Sequence, residues 1–378
     1  MAESNRRAFL SGRSAADELE AAVGRLGDAI LDDRGRRIPR VGDTIRLETR
    51  AMACVWQVML PPGPSDRIME VSHLLDAVHD LETAMTVYRE DGELRQLNDN
   101  PSLDPVPVSE DLFDVLALGA KLTRATAGCF DVTSGPLVSL WREARGEERV
   151  PTDEEVAAAL ERCGVDSLVF DATAGTVTRS KPGMQLALGA LGKGFALDRI
   201  AASIQSAGIG DFLIHGGHSS VLAYGACGTD DGWPIALRNP LLTEQTFGTV
   251  LLQNEGFSSS GSNVQFYRVG GKRYGHLLDP RTGWPAAATL SATVVSATAA
   301  AADALSTAFF VAGLDFARNW CDTARPEEST AADLSDPFAT AGIVTPPPQS
   351  RTIEPVFLGD FASRFYRQDR TAATQPSL

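Results

Sequence analysis

Asp303 and Thr307 stand four residues apart in the stretch from Ala300 to Gly313. On a helix that spacing places both on one face. A carboxylate beside a hydroxyl makes a hard-oxygen pair suited to Mg²⁺, which takes few protein ligands and fills its shell with phosphate oxygens and water. Taken alone, the pair reads more readily as a surface aspartate near a threonine bonded back to its own turn. A second signal is Gly189-Ala190-Leu191-Gly192-Lys193-Gly194. It is not a nucleotide P-loop, because GxxxxGK[ST] needs glycine where Ala187 stands and Ser or Thr where Gly194 stands. A glycine-rich turn running into a helix from Phe195 still offers free N–H groups and a positive helix end to an anion, and Lys193 adds a point charge.

The third signal is His276-Leu277-Leu278-Asp279-Pro280-Arg281-Thr282-Gly283. Turn chemistry accounts for Asp279, Pro280 and Gly283, but not for His276 or Arg281. An imidazole beside a sharp turn is a candidate base. His215 and His218 flank Gly216-Gly217 without a third ligand at suitable spacing, so a metal there is not expected. Ser258-Ser259-Ser260-Gly261 offers hydroxyls that suit a phosphate or an ordinary loop alike.

The elements that must carry these residues read as follows. Residues 1–45 are polar, with a short helical pattern over Ala15 to Leu31, and suggest an appended arm. Residues 46–60 read as a strand ending at Pro61-Pro62-Gly63-Pro64. Helical spacing covers Arg67 to Thr86. Further helices are expected from an N-cap at Ser109 to Thr126, from Thr152 to near Gly164, from Phe195 to Ser206 and from Ala299 onward. Short strands are expected at residues 167–171, 176–179, 184–189, 211–217 and 219–225. More follow in WPIALRN, FGTVLLQ and LSATVVS. Thr323 to Ser350 reads as a loop, with one more strand near Val356 and fraying over the last ten residues. Hairpins dominate, so the fold class is α+β with largely antiparallel sheets and packed helices.

These blocks occur in an order that, together with Tyr88 to Leu94, Leu97-Asn98, Phe130 to Val138 and Leu140-Trp141, closely resembles the ApbE-like FAD:protein FMN transferases. The resemblance covers residues 46–360 and implies one catalytic domain of two intertwined lobes, followed by a tail over 361–378. It implies transfer of FMN from FAD to a threonine or serine hydroxyl of a target protein, with release of AMP. It places Mg²⁺ on the Ala190 carbonyl, Asp303 and Thr307. It places FAD contacts at Met52, Cys129, Phe130, Asp131, Lys193, His276 and Leu277. Three positions depart from the family pattern: Ala187 stands for an aspartate that contacts FAD, His218 for the aspartate of GGD, and Ser259 for a threonine. Within that resemblance His276 is the expected base for the acceptor hydroxyl, with Asp279 orienting it. Hydrolysis of FAD to FMN and AMP at the same site, or flavin binding without turnover, are the alternatives.

Composition sets the boundaries. The 378 residues hold 34 Lys and Arg against 49 Asp and Glu, a formal charge of −15. An acidic chain with no basic run is not expected to bind nucleic acid. A pyrophosphate ligand would need a metal, a lysine or a helix end to offset that field. Five scattered cysteines make no disulfide framework and fit a reducing compartment. Arg6, Arg7, Phe9 and Leu10 imitate a twin-arginine signal, but Ser11, Arg13, Asp17 and Glu18 break the apolar stretch such a signal needs, so a cytoplasmic location is expected. No run of 18 apolar residues could span a membrane.

Overall fold

The computed structural model describes residues 43–217, 219–227, 231–240, 242, 245–262, 265–287, 289–323, 340–345 and 355–367. The expected N-terminal arm, the arginine pair, His218 and the last ten residues lie outside these. Ten helices are described: α1 Ser65–Asp76, α2 Val78–Met85, α3 Glu93–Asp99, α4 Glu110–Ala125, α5 Gly135–Gly146, α6 Asp153–Leu160, α7 Gly192–Ser206, α8 Ala299–Ala312, α9 Leu314–Thr323 and α10 Phe361–Arg364. None is long and apolar enough to cross a membrane.

An eight-stranded sheet forms the centre, in spatial order Ile45–Ala51, Cys54–Leu60, Phe212–Gly216, Ser220–Tyr224, Glu255–Gly261, Ser291–Ser296, Thr340–Thr345 and Val356–Leu358. Every pairing is antiparallel, as the density of hairpins predicts. Alternation sends side chains to two cores. Phe212, Ile214 and Leu222 face the helices, whereas Leu213, Val221 and Ala223 face a three-stranded sheet built from Trp233–Arg238, Thr246–Leu252 and Phe365–Arg367. Helices thus cover one face and a small sheet the other, the α+β arrangement expected.

The helix signals translate into local chemistry. Ser109 accepts from the Leu112 N–H at the start of α4, and Thr152 with Glu155 forms a capping box on α6. Helix α8 is buried from Ala299 to Val311 except at Thr307. A helix apolar on nearly all sides belongs inside.

Several expectations change. Residues 46–60 form two strands joined at Met52 and Ala53, both with positive φ, so a hairpin replaces the single strand. The helix expected over Arg67–Thr86 breaks at Ala77, whose N–H turns to the Leu74 carbonyl three residues back. Residues 184–189 form no strand. Their backbone instead bonds the Asn98 side chain and the Val132 carbonyl, partners outside any ladder. The expected loop from Thr323 to Ser350 contains the strand Thr340–Thr345, paired along its length with Ser291–Ser296. Past residue 360 the chain still contributes to the core, with Phe361 and Phe365 buried against the small sheet.

Candidate active site

Helices α7 and α8 cross closely, and the crossing builds the centre of the site. A Cβ on Gly194 would lie 2.3 Å from the Ala299 carbonyl oxygen, so only glycine lets the backbones meet there. At that contact the Gly194 N–H donates to Asp303 Oδ2 at 2.8 Å. The turn before α7 closes on the Leu188 carbonyl, which accepts from Leu191 and Gly192. No bond from Gly194 back to the Ala190 carbonyl accompanies the bond to Asp303. Helix α7 starts without a side-chain cap and without an acid in its first turn, but its Gly192 and Gly194 amides are taken by the Leu188 carbonyl and Asp303, so Lys193, with its N–H and its ammonium, is what the turn offers an anion.

Asp303 is only 5 % exposed. Its Oδ1 accepts from Ser220 Oγ and Ser258 Oγ, each at 2.6 Å. It forms no ion pair among the described residues. A buried carboxylate balanced by neutral donors alone carries uncompensated charge, and a cation is the natural complement. Thr307, the one residue of the α8 stretch Ala299–Val311 that is not buried, lies one turn further on, with Ser260 Oγ 3.3 Å from its hydroxyl. The oxygen set suits Mg²⁺ better than a soft metal. It holds one carboxylate; no group of three or more His, Cys, Asp or Glu side chains forms a metal cluster among the described residues.

Asp198 joins the same two helices from the far end. Its carboxylate accepts from the Ala299 and Ala300 N–H groups at 2.8 and 2.9 Å, capping α8, while Thr298 accepts from Ala301. The residue is half-buried, but the carboxylate points inward at those amides. Burial pushes its pKa up to about 7, against the pull of the two amides. A carboxyl whose folded pKa exceeds its unfolded value near 3.8 binds its proton more tightly when folded. Its contribution is therefore complete below that value and is lost as pH rises through about 7. Thermal unfolding of Asp198→Asn is expected to vary less with pH between about 4 and 7 than that of the native chain. An unchanged pH slope would count against this ionisation.

Other residues gather around this centre through long-range bonds. Asn98 clasps the backbone of Leu186 with both amide atoms, at 2.9 and 2.7 Å. Ala187 donates to the Val132 carbonyl at 2.8 Å, which sets the segment before α7 against the loop holding Cys129, Phe130 and Asp131. Cys129 and Phe130 are buried. Burial raises the Asp131 pKa, and its carboxylate is occupied by the N–H and hydroxyl of Thr133. Burial raises the pKa of the Cys129 thiol, with Arg281 lowering and Asp279 raising it further, and Arg281 Cγ would lie 3.7 Å from a Cβ on Gly128, so the His276–Gly283 segment borders this loop. At the hairpin tip Met52 donates its N–H to Glu82 at 2.7 Å. Burial raises the pKa of the Cys54 thiol just past that tip, and the charge of Lys193 opposes the rise.

Trp141 on α5 fixes the histidine segment. Its Nε1 donates to the Gly283 carbonyl at 2.8 Å, and its ring meets Tyr274 and Trp284 at centroid distances of 5.8 and 5.4 Å. His276 Nδ1 lies 3.0 Å from the Gln265 carbonyl. A carbonyl only accepts, so Nδ1 carries the proton and Nε2 keeps a free lone pair. Desolvation, opposed by that carbonyl and aided by Arg145, holds the imidazole below its usual value of 6.5. Asp279 does not reach His276; both its oxygens bind Arg281, at 2.9 and 2.8 Å. Leu277 packs below, its carbonyl accepting from Ala286. His215 bonds the Gly217 carbonyl at 2.8 Å.

The structure joins the turn that carries Ala190 and Lys193 to Asp303 through Gly194, with Thr307 one turn further along α8. It binds Met52 to Glu82 and sets Arg281 beside Gly128, at the start of the Cys129 to Asp131 loop. It separates Asp279 from His276. Gln265, Asp198, Ser220 and Asn98 were not singled out individually. Their partners lie far away in sequence, and no local pattern marks such pairs.

A model of the ApbE family matches residues 52–331. A protein of Haemophilus influenzae named FAD:protein FMN transferase is 34% identical over 282 residues, covering 72% of this chain and 81% of its own. Its namesake in Escherichia coli K12 is 29% identical over 279 residues, covering 72% and 79%. The crystal structure of the ApbE protein of Thermotoga maritima superposes with a TM-score of 0.71 over 86% of this chain and all of that one, at 24% identity. That likeness speaks for the fold, and the match over residues 52–331 settles the ancestry: the chain belongs to the ApbE family.

Proposed function

We propose that the protein transfers FMN from FAD to a serine or threonine hydroxyl of an acceptor protein, releasing AMP, with Mg²⁺ as cofactor. The observation that carries this reading is the hydrogen bond from Gly194 to Asp303. It joins the helix start that carries Lys193, suited to a pyrophosphate, to a buried carboxylate that has no ion-pair partner among the described residues. The relatives named FAD:protein FMN transferase support the same reading.

Asp303, Thr307 and the Ala190 carbonyl would hold the metal, which when bound neutralises charge on the pyrophosphate oxygens. Lys193, with its ammonium and its backbone N–H at the start of α7, binds the phosphates and holds them in line. The acceptor oxygen attacks the FMN phosphorus, the bond from that phosphorus to the bridging oxygen breaks, and AMP departs with the bridging oxygen. His276 Nε2 takes the hydroxyl proton, its tautomer set by the Gln265 carbonyl rather than by Asp279.

Incubation of the chain with FAD, Mg²⁺ and a candidate acceptor, followed by mass spectrometry, is expected to show an added FMN mass. AMP release without that mass would indicate FAD hydrolysis, and bound FAD that is never consumed would indicate a binding protein. His276→Ala is expected to keep FAD affinity and slow transfer by about 10²- to 10⁴-fold. Because the imidazole ionises below 6.5, native transfer is expected to stay level at neutral pH and to decline only as pH falls below that value. Native transfer kinetics in the variant, or its loss of FAD binding, would remove His276 from the role of base.

A further inference from the structure

We infer that Ser220 and Ser258 form a hydroxyl clamp that holds Asp303 to one-oxygen coordination and so sets the site's preference for Mg²⁺ over Ca²⁺. The inference rests on the metal reading of Asp303 and Thr307 and goes beyond it to what determines the choice of ion. Both hydroxyls reach the same atom, Oδ1, at 2.6 Å. An ionised carboxylate only accepts, so both serines donate. Each carboxylate oxygen has two lone-pair directions, and the two serines occupy both on Oδ1. Oδ2 accepts only the Gly194 N–H, which leaves one direction open. Asp303 can thus offer one oxygen to a metal and not two.

The clamp is rigid because its members are buried on different elements. Ser220 is fully buried and Ser258 is 2 % exposed, on adjacent strands of the central sheet where they are directly paired. Asp303 comes to them from α8. Turning the carboxylate so that both oxygens face one ion would break two short bonds and leave two buried hydroxyls unpaired.

The network also has a direction. Ser258 and Ser220 spend their protons on Asp303. Ser306 Oγ lies 3.0 Å from the Asp303 carbonyl, an acceptor, and 3.3 Å from Ser258 Oγ. Ser260 Oγ lies 2.9 Å from Ser306 Oγ and 3.3 Å from Thr307 Oγ1. With Ser306 donating onward to that carbonyl, Ser260 donates to Ser306, and Thr307 donates to Ser260. Every proton then runs toward Asp303, and the Thr307 oxygen keeps lone pairs for a cation.

Coordination chemistry gives the consequence. Mg²⁺ demands near-octahedral geometry and accepts single carboxylate oxygens, whereas Ca²⁺ takes six to eight ligands and readily uses both oxygens of one carboxylate. A locked Oδ1 disfavours the larger ion.

The test measures binding rather than turnover. With the full chain and excess FAD, free Mn²⁺ is followed by electron paramagnetic resonance while Mg²⁺ or Ca²⁺ displaces bound Mn²⁺. The native chain is expected to favour Mg²⁺. Ser220→Ala with Ser258→Ala is expected to weaken Mg²⁺ about tenfold and to raise the Ca²⁺-to-Mg²⁺ affinity ratio several-fold. Ser258→Cys, which keeps the volume but weakens the donor, is expected to shift the ratio in the same direction, and circular dichroism identifies any variant that fails to fold. Folded variants with an unchanged ratio, including an equal loss for both ions, would overturn the clamp. A native chain that binds no divalent ion with FAD present would instead overturn the metal reading beneath it.

Discussion

Replacing Asp303 with alanine is expected to lower metal-dependent FMN transfer by at least about a thousandfold. A metal ion on a phosphoryl oxygen supplies several kcal/mol of transition-state stabilisation, and about 4 kcal/mol corresponds to that factor. Asp303 is the one carboxylate in the proposed oxygen set, and it is buried against the turn that carries Lys193. The substitution also strips an acceptor from Gly194, Ser220 and Ser258. Unpaired buried donors cost about 1–3 kcal/mol each, while removal of a buried anion works in the opposite direction. Asp303→Asn separates the two effects, since it keeps an oxygen for the serines and discards the charge. AMP release and acceptor mass, measured with and without chelator, decide the matter. A folded Asn variant at the native rate, or full activity of the Ala variant in chelator, would remove the metal from Asp303.

The second large effect is expected at Gly194. Helix propensity alone favours Gly194→Ala by about 1 kcal/mol. Packing opposes it, because the new Cβ would sit 2.3 Å from the Ala299 carbonyl oxygen and 2.7 Å from the Ala300 Cα. Those atoms are backbone and cannot rotate away, so α7 and α8 must separate. Overpacking of this kind costs about 1–3 kcal/mol and occasionally more, enough to reverse the propensity gain. Separation also draws the Gly194 N–H from Asp303, so stability and transfer are expected to fall together. Gly192→Ala is the matched control on the same turn, where the nearest atom would be Met85 Sδ at 3.4 Å. Thermal midpoints and transfer rates of the two variants test the contrast; a Gly194→Ala chain as stable as the Gly192→Ala chain would contradict it.

Legibility in the sequence followed the range of the physics. Ser109, Thr152 and the four-residue step from Asp303 to Thr307 work within one turn of helix, so their spacing alone announced them. The hairpin at Met52-Ala53 stayed hidden because neither residue is the glycine or asparagine that marks such a turn. Residues 184–189 alternate like a strand, but Asn98 and Val132 satisfy their backbone from 88 and 55 positions away, where no sheet edge is available. Ser220 and Ser258 likewise meet Asp303 across separations of 83 and 45 residues. Charge announced that a pyrophosphate ligand would need a local offset, while the close meeting of α7 and α8 at Gly194 is visible only in the fold.

The Met52-Ala53 tip bears on how this protein could change. Side chains in the left-handed region cost roughly 1–2 kcal/mol each relative to glycine. Met52 and Ala53 have φ of 50° and 58°, so an Asn-Gly pair would relax the turn. The same exchange would delete Met52, a position that the family resemblance assigns to FAD. On that assignment, durability and flavin binding pull in opposite directions at the tip, and an engineer seeking a hardier enzyme should leave it alone.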